Sequence, residues 1–84
     1  MELENLRIQI DEIDKEMIKL FEKRMEIVSK IGEYKKVHNL PILDKNREQI
    51  VLEKNKQYIK NKNYLPYYTE FMIHLMNLAK KNEN

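Results

Sequence analysis

Two cations on neighbouring helical stripes are the first sign of chemistry in this chain. In KLFEKRMEIVSKIGEYKK, residues 19–36, Arg24 shares a stripe with Leu20, Ile27, Ile31 and Tyr34. A guanidinium held among apolar neighbours needs an anionic partner, because an unpaired buried charge is strongly destabilising. That partner is either a glutamate of the same chain or a carboxylate of a ligand. Lys35 follows eleven residues later. At helical spacing the two side chains point within about 20° of each other and lie about 16 Å apart along the axis. The separation is too long for strong repulsion and suits the two ends of one small dianion. A lysine beside an apolar seam more often extends its stem and leaves the ammonium in water. Arg7, seventeen residues before Arg24, sits about 100° around the same helix, so it reaches the cluster only from a second chain. Further on stand Asp44, Arg47 and Glu48. Arg47 lies in the first turns of another helix, where free N–H groups and the dipole already favour an anion. Glu48 can accept a hydroxyl hydrogen.

The elements that must position these residues are helical. Positions 3, 6, 10, 13, 17, 20, 24, 27, 31, 34 and 38 alternate spacings of three and four, a heptad seam that predicts one helix from about residue 4 to 38. It should end near Asn39, since Pro41 disfavours helix at the residue before it. A second helix should begin after Asp44 as N-cap, with Ile50, Val51 and Leu52 on its apolar side, and end within 56–62. Pro66 suits the first turn of a third helix that buries Tyr68, Phe71, Met72, Leu75, Met76 and Ala79. The expected fold is all-α: one domain over 1–84, with one long and two shorter helices. A rod of roughly 50 Å exceeds a globule whose radius of gyration would be about 12 Å. Its uncovered seam predicts an intertwined two-fold homodimer. Gly32 falls mid-helix on a stripe with Ile18, Phe21, Met25, Val28 and Lys35, where glycine costs about 1 kcal/mol relative to alanine. It signals either the close approach of another helix or room for a ligand.

Composition removes several function classes. Cysteine is absent and the only two histidines, His38 and His74, are far apart, so neither a disulfide framework nor a thiolate or histidine metal cluster is expected. Residues 1–40 carry eight Lys/Arg against nine Asp/Glu, and residues 41–84 eight against five. That asymmetry is too mild for a nucleic-acid binder, and the run KNKQYIKNKN at 54–63 reads as a solvated helix end and loop. The start MELENLRIQIDEID is acidic and lacks a signal peptide's apolar core, and no segment approaches a membrane span. The expected location is the cytoplasm.

With these residues in place, the chain resembles the all-helical chorismate mutases, the AroQ class. The resemblance is carried by LRIQIDEIDKEMIKLFEKRMEIVSKIGEYK (6–35) and PILDKNRE (41–48). It implies that chorismate is the substrate, with Arg24 and the partner chain's Arg7 each holding one carboxylate. It further implies that Lys35 donates to the ether oxygen and a carboxylate, that Arg47 supports one end of the substrate, and that Glu48 and Asp44 meet the ring hydroxyl. The family's usual glutamine and small polar residue of the third helix fall on Glu83 and Ala79; a register one residue later gives Asn84 and Lys80. The implied reaction, chorismate to prephenate, needs no cofactor and no metal. Glu83 could donate to the ether oxygen only when protonated, so turnover should rise as pH falls from 8 towards 5. Isochorismate–pyruvate lyases resemble the same pattern, and a non-catalytic helical dimerisation module would share the seam. Activation by another enzyme of the pathway is a further open possibility.

Overall fold

Heptad periodicity becomes a single rod. The computed structural model describes residues 1–83, in which α1 runs over Glu2–Val37, α2 over Lys45–Lys56 and α3 over Leu65–Glu83. A 3₁₀ turn at Lys62–Tyr64 leads into α3. No strand occurs among the described residues, so the architecture is all-α with three helices, as the periodicity requires. None of these helices is long and apolar enough to cross a membrane.

α1 has 36 residues and sets the long dimension of a molecule measuring 56 × 25 × 16 Å. Glu2 and Glu4 in its first turn and Lys35 and Lys36 in its last complement the helix dipole. Its end is a Schellman motif. Asn39 takes a left-handed φ of 55°, Leu40 N–H donates to the Lys35 carbonyl at 2.8 Å, and Asn39 N–H reaches the Lys36 carbonyl at 3.4 Å. Asparagine tolerates that conformation better than most residues, and Pro41 then prevents resumption of the helix. α2 starts where expected: the Asp44 carboxylate accepts the Arg47 backbone N–H at 3.0 Å.

α3 lies along the C-terminal half of α1 and runs in the same direction. Its early residues Phe71 and Leu75 stand beside Met17–Arg24, and its last turn reaches Ser29 and Gly32. The core so formed is small. Val28, Gly32, Met72 and Met76 are its buried members, with Val28 at 7% exposure. Two expectations need correction here. Ile50 points outward from α2 while Val51 and Leu52 are half-buried, and Phe71 of α3 is 56% exposed. Phe71 faces a gap that α1 and α3 leave open between them, and nothing in a single chain fills it.

The first 23 residues bury nothing. Leu3, Leu6, Ile10, Ile13, Met17 and Leu20 are 50–62% exposed. The radius of gyration is 16.0 Å where a compact chain of this length has about 12 Å. The exposed area is 7417 Å², against about 5,400 Å² for an ordinary monomer of this mass.

Tyr68 joins the two shorter helices: its hydroxyl donates to the Leu52 carbonyl at 2.9 Å. Burial raises the phenol above its usual value of 10.0, and the Glu53 carboxylate adds to the rise. A raised folded-state pKa means that the folded chain binds the proton more tightly than the unfolded one. The stabilisation is therefore complete below about pH 10 and is lost as pH climbs through the folded value. Tyr68→Phe should cost about 1 kcal/mol in urea unfolding followed by circular dichroism at one fixed protein concentration. It should also weaken the loss of stability above pH 10. Equal stability and an unchanged alkaline loss would refute this role.

Candidate functional site

The C-terminal half of α1, the connection at 38–44, the start of α2 and the end of α3 enclose a pocket of about 260 Å³. α1 contributes Arg24, Val28, Ile31 and Lys35, spaced by four, three and four residues so that they fall on one face. The capped first turns of α2 contribute Arg47, Glu48 and, one turn on, Val51, with Asp44 at the cap itself. α3 contributes Met76, Ala79, Lys80 and Glu83, again one helical face. Val28, Ile31, Ile42, Val51 and Met76 make the floor apolar, so the charges above it act in a weakly screened space.

Lys35 is not extended into water. Its Nζ donates to the Ile42 carbonyl at 2.9 Å and stands 2.6 Å from Glu83 Oε1. Glu83 is well covered, with its side chain at 7% exposure. Its Oε1 meets Lys35 as an ion-pair contact without hydrogen-bond alignment. A second pair spans α2 and α3, with Glu48 Oε2 3.0 Å from Lys80 Nζ. Asp44 uses one oxygen for its cap.

Arg24, like the exposed Arg47, stands outside this pairing. It is half-buried, its Nη1 is sealed from solvent without a hydrogen-bond partner, and no carboxylate of the described residues forms an ion pair with it. Of the two partners its sequence position permits, a glutamate of the same chain is thus not the one in place. A buried donor without a partner, on a residue that lines the pocket, calls for an acceptor. Arg24 also borders a second, apolar cavity of about 450 Å³ formed by Met17, Ile18, Leu20, Phe21, Phe71 and Leu75. It therefore stands on the ridge between the charged pocket and the uncovered gap.

Seven of the expected site residues line the one pocket: Arg24, Lys35, Asp44, Arg47 and Glu48, and Ala79 and Glu83, which the resemblance alone implied. Arg7 does not. It is exposed and lies about 25 Å along α1 from Arg24. The alternative register of α3 is only partly separable from the first, because Lys80 lines the pocket beside Ala79; Asn84 lies outside the described residues. The Ile42 carbonyl escaped sequence reasoning altogether, since a main-chain acceptor in a connection leaves no side-chain signal. Among the described residues no cluster of three or more His, Cys, Asp or Glu could hold a metal ion.

Comparison with known proteins bears on what the pocket is for. The family model described as chorismate mutase type II matches residues 6–84. The T-protein of Haemophilus influenzae is 47% identical over 51 residues, which is 61% of this chain and 14% of that protein. A bifunctional chorismate mutase/prephenate dehydratase of Buchnera aphidicola is 36% identical over 84 residues, covering 95% of this chain and 22% of the relative. A monofunctional chorismate mutase of Enterobacter agglomerans is 38% identical over 58 residues, or 68% of this chain and 32% of that one. The chain thus spans no more than a third of the length of these curated relatives. No solved structure matches at a comparable level of significance. With its helices, its pocket and a match that takes in almost every residue, the chain belongs to the type II chorismate mutase family.

Proposed function

We propose that the chain is a chorismate mutase that rearranges chorismate to prephenate as a two-fold homodimer. The observation that carries this reading is the unsatisfied, sealed Nη1 of an arginine, Arg24, that lines the same pocket as Lys35. The pocket's own wall has four cations, Arg24, Lys35, Arg47 and Lys80, against three carboxylates, Asp44, Glu48 and Glu83. Its formal excess is one positive charge; Arg7 from a partner chain would raise this to two, the complement of a dianion. The bare seam of α1 and the apolar gap beside Arg24 supply both the reason for a partner and the place where its Arg7 would arrive.

In this reading the reaction is carried by position and charge. One C–O bond breaks as one C–C bond forms within the same molecule, so no nucleophile is required. Arg24 and the partner's Arg7 hold the two carboxylates and keep the enolpyruvyl arm over the ring. Arg47 steadies one end, and Glu48, with Asp44 beside it, receives the ring hydroxyl. Lys35 donates to the ether oxygen as negative charge grows there. A preorganised donor of this kind contributes roughly 2.7–4 kcal/mol in other enzymes. Two donors with the positioning effect approach the ~8 kcal/mol at the low end of enzymatic acceleration.

Glu83 is the second donor, and its ion pair with Lys35 defines the resting pocket. Substrate takes over the ammonium, and the displaced carboxyl must then carry a proton to donate to the same ether oxygen. Ala79, one turn earlier, presents only a methyl group and adds no donor of its own.

Purified chain mixed with chorismate and followed by NMR should form prephenate well above the spontaneous rate, and faster at pH 5.5 than at pH 7.5. No acceleration at either pH would sink the mutase reading. Salicylate and pyruvate formed from isochorismate would replace it with the lyase. Glu83→Gln, whose amide donates at any pH, should flatten the pH dependence; an unchanged slope would remove Glu83 from the ether oxygen.

The shared site has its own test. Arg7→Ala and Arg24→Ala should each abolish most turnover. Co-refolded in equal amounts, they should recover about a quarter of wild-type activity, because half of the dimers then hold one intact site of two. No recovery in a mixture that sediments as dimer would exclude a site built across the interface.

A further inference from the structure

Met25, Ser29 and Gly32 follow one another along α1 at spacings of four and three, on a single face turned towards the last turn of α3. Asn82 Nδ2 donates to the Met25 carbonyl at 3.0 Å and to the Ser29 hydroxyl at 2.9 Å. One turn further on, the two backbones close up. A Cβ placed on Gly32 would stand 2.8 Å from the Glu83 carbonyl oxygen and 2.9 Å from its Cα. Both are main-chain atoms that cannot swing aside. Of the two explanations open for a glycine inside α1, close approach of a helix is the one realised. The same turn carries the Glu83 side chain, whose Oε1 lies 2.6 Å from Lys35 Nζ, three residues beyond Gly32.

We propose that Gly32 and Asn82 are positioning residues for Glu83. Asn82 sets how far along α1 the last turn of α3 sits, because its amide is fixed to a main-chain carbonyl. Gly32 sets how close that turn comes. Neither residue lines the charged pocket, and neither touches substrate in the mutase reading, on which the catalytic part of this inference rests. A side chain at residue 32 pushes the turn outward and carries the Glu83 carboxyl away from Lys35 and from the ether oxygen. Loss of the Asn82 amide releases the same turn without adding volume.

Gly32→Ala and Asn82→Ala, made in the full chain, should each lower kcat for chorismate by on the order of 10- to 100-fold, the scale of a misplacement of about 1 Å. KM should stay within about twofold, because the carboxylate-holding arginines do not move. The rise in turnover towards low pH should flatten, since the group that needs the proton no longer reaches the reacting atom. In a Glu83→Ala background neither change should reduce kcat by more than about twofold further. Full additivity with Glu83→Ala, or an effect on KM alone, would overturn the proposal. Asn82→Ala carries the test should Gly32→Ala fail to fold.

A second arm is independent of activity. In the wild-type chain, proton NMR should give a cross-peak between Gly32 Hα and Glu83 Hα, and Asn82→Ala should abolish or strongly weaken it. Its absence from the wild type would refute the docking itself, and its persistence in the variant would refute the part given to Asn82. A wild-type chain that leaves chorismate unchanged would defeat the mutase reading, while the cross-peak would still decide whether Gly32 and Asn82 hold the turn.

Discussion

The charged pocket exists because α3 lies against α1 closely enough for its final turn to face the end of the rod. Arg24 and Lys35 would share a face of any helix of this sequence, but a face is not an enclosure. The opposite wall comes from Met76, Ala79, Lys80 and Glu83, and the third side from the capped start of α2. Only three hydrophobic side chains, Val28, Met72 and Met76, are buried in the described chain. With so small a core, the polar contacts across the helices carry an unusual share of the geometry: Tyr68 to the Leu52 carbonyl, Asn82 to Met25 and Ser29, Lys35 to the Ile42 carbonyl.

Two of the pocket's four cations are paired with carboxylates, and two, Arg24 and the exposed Arg47, are not. Lys35 meets Glu83 and Lys80 meets Glu48, so these groups avoid the penalty of burial without a counter-ion. Arg24 Nη1 has no such contact. A site intended for a dianion faces a conflict: cations strong enough to bind it would repel one another when it is absent. The internal carboxylates relieve that conflict. They stand against the two ammonium groups, Glu83 at 2.6 Å from Lys35 and Glu48 at 3.0 Å from Lys80.

Much of this was legible in the sequence, for reasons that can be named. The strict three–four alternation of α1 left no alternative to a long helix, and helical arithmetic alone brought Arg24 and Lys35 to one side. Asp44 announced the start of α2, and Pro41 the end of what preceded it. Other features were not legible. Phe71 and Ile50 sit at apolar positions of their helices, yet whether such a residue is covered depends on neighbours that periodicity does not identify. Lys80 falls next to Ala79 at a spacing that leaves either on the pocket wall, and both are there. Gly32 announced that something came close, without saying that it was the backbone of Glu83. The Ile42 carbonyl belongs to a segment whose path depends on Asn39 adopting a left-handed turn.

The bare first 23 residues of α1 also bear on how the molecule is made. Most helical stability in proteins comes from tertiary packing of an apolar face, and residues 1–16 of this chain are exposed throughout. A partner that covered Leu3, Leu6, Ile10 and Ile13 would order the half of α1 that carries Arg7 as it docked, making folding and docking a single event. With a second copy as the cover, that event is bimolecular. The folded fraction then rises with protein concentration, and a substitution at Leu6 or Ile10, remote from every charge in the pocket, shows itself first at high dilution.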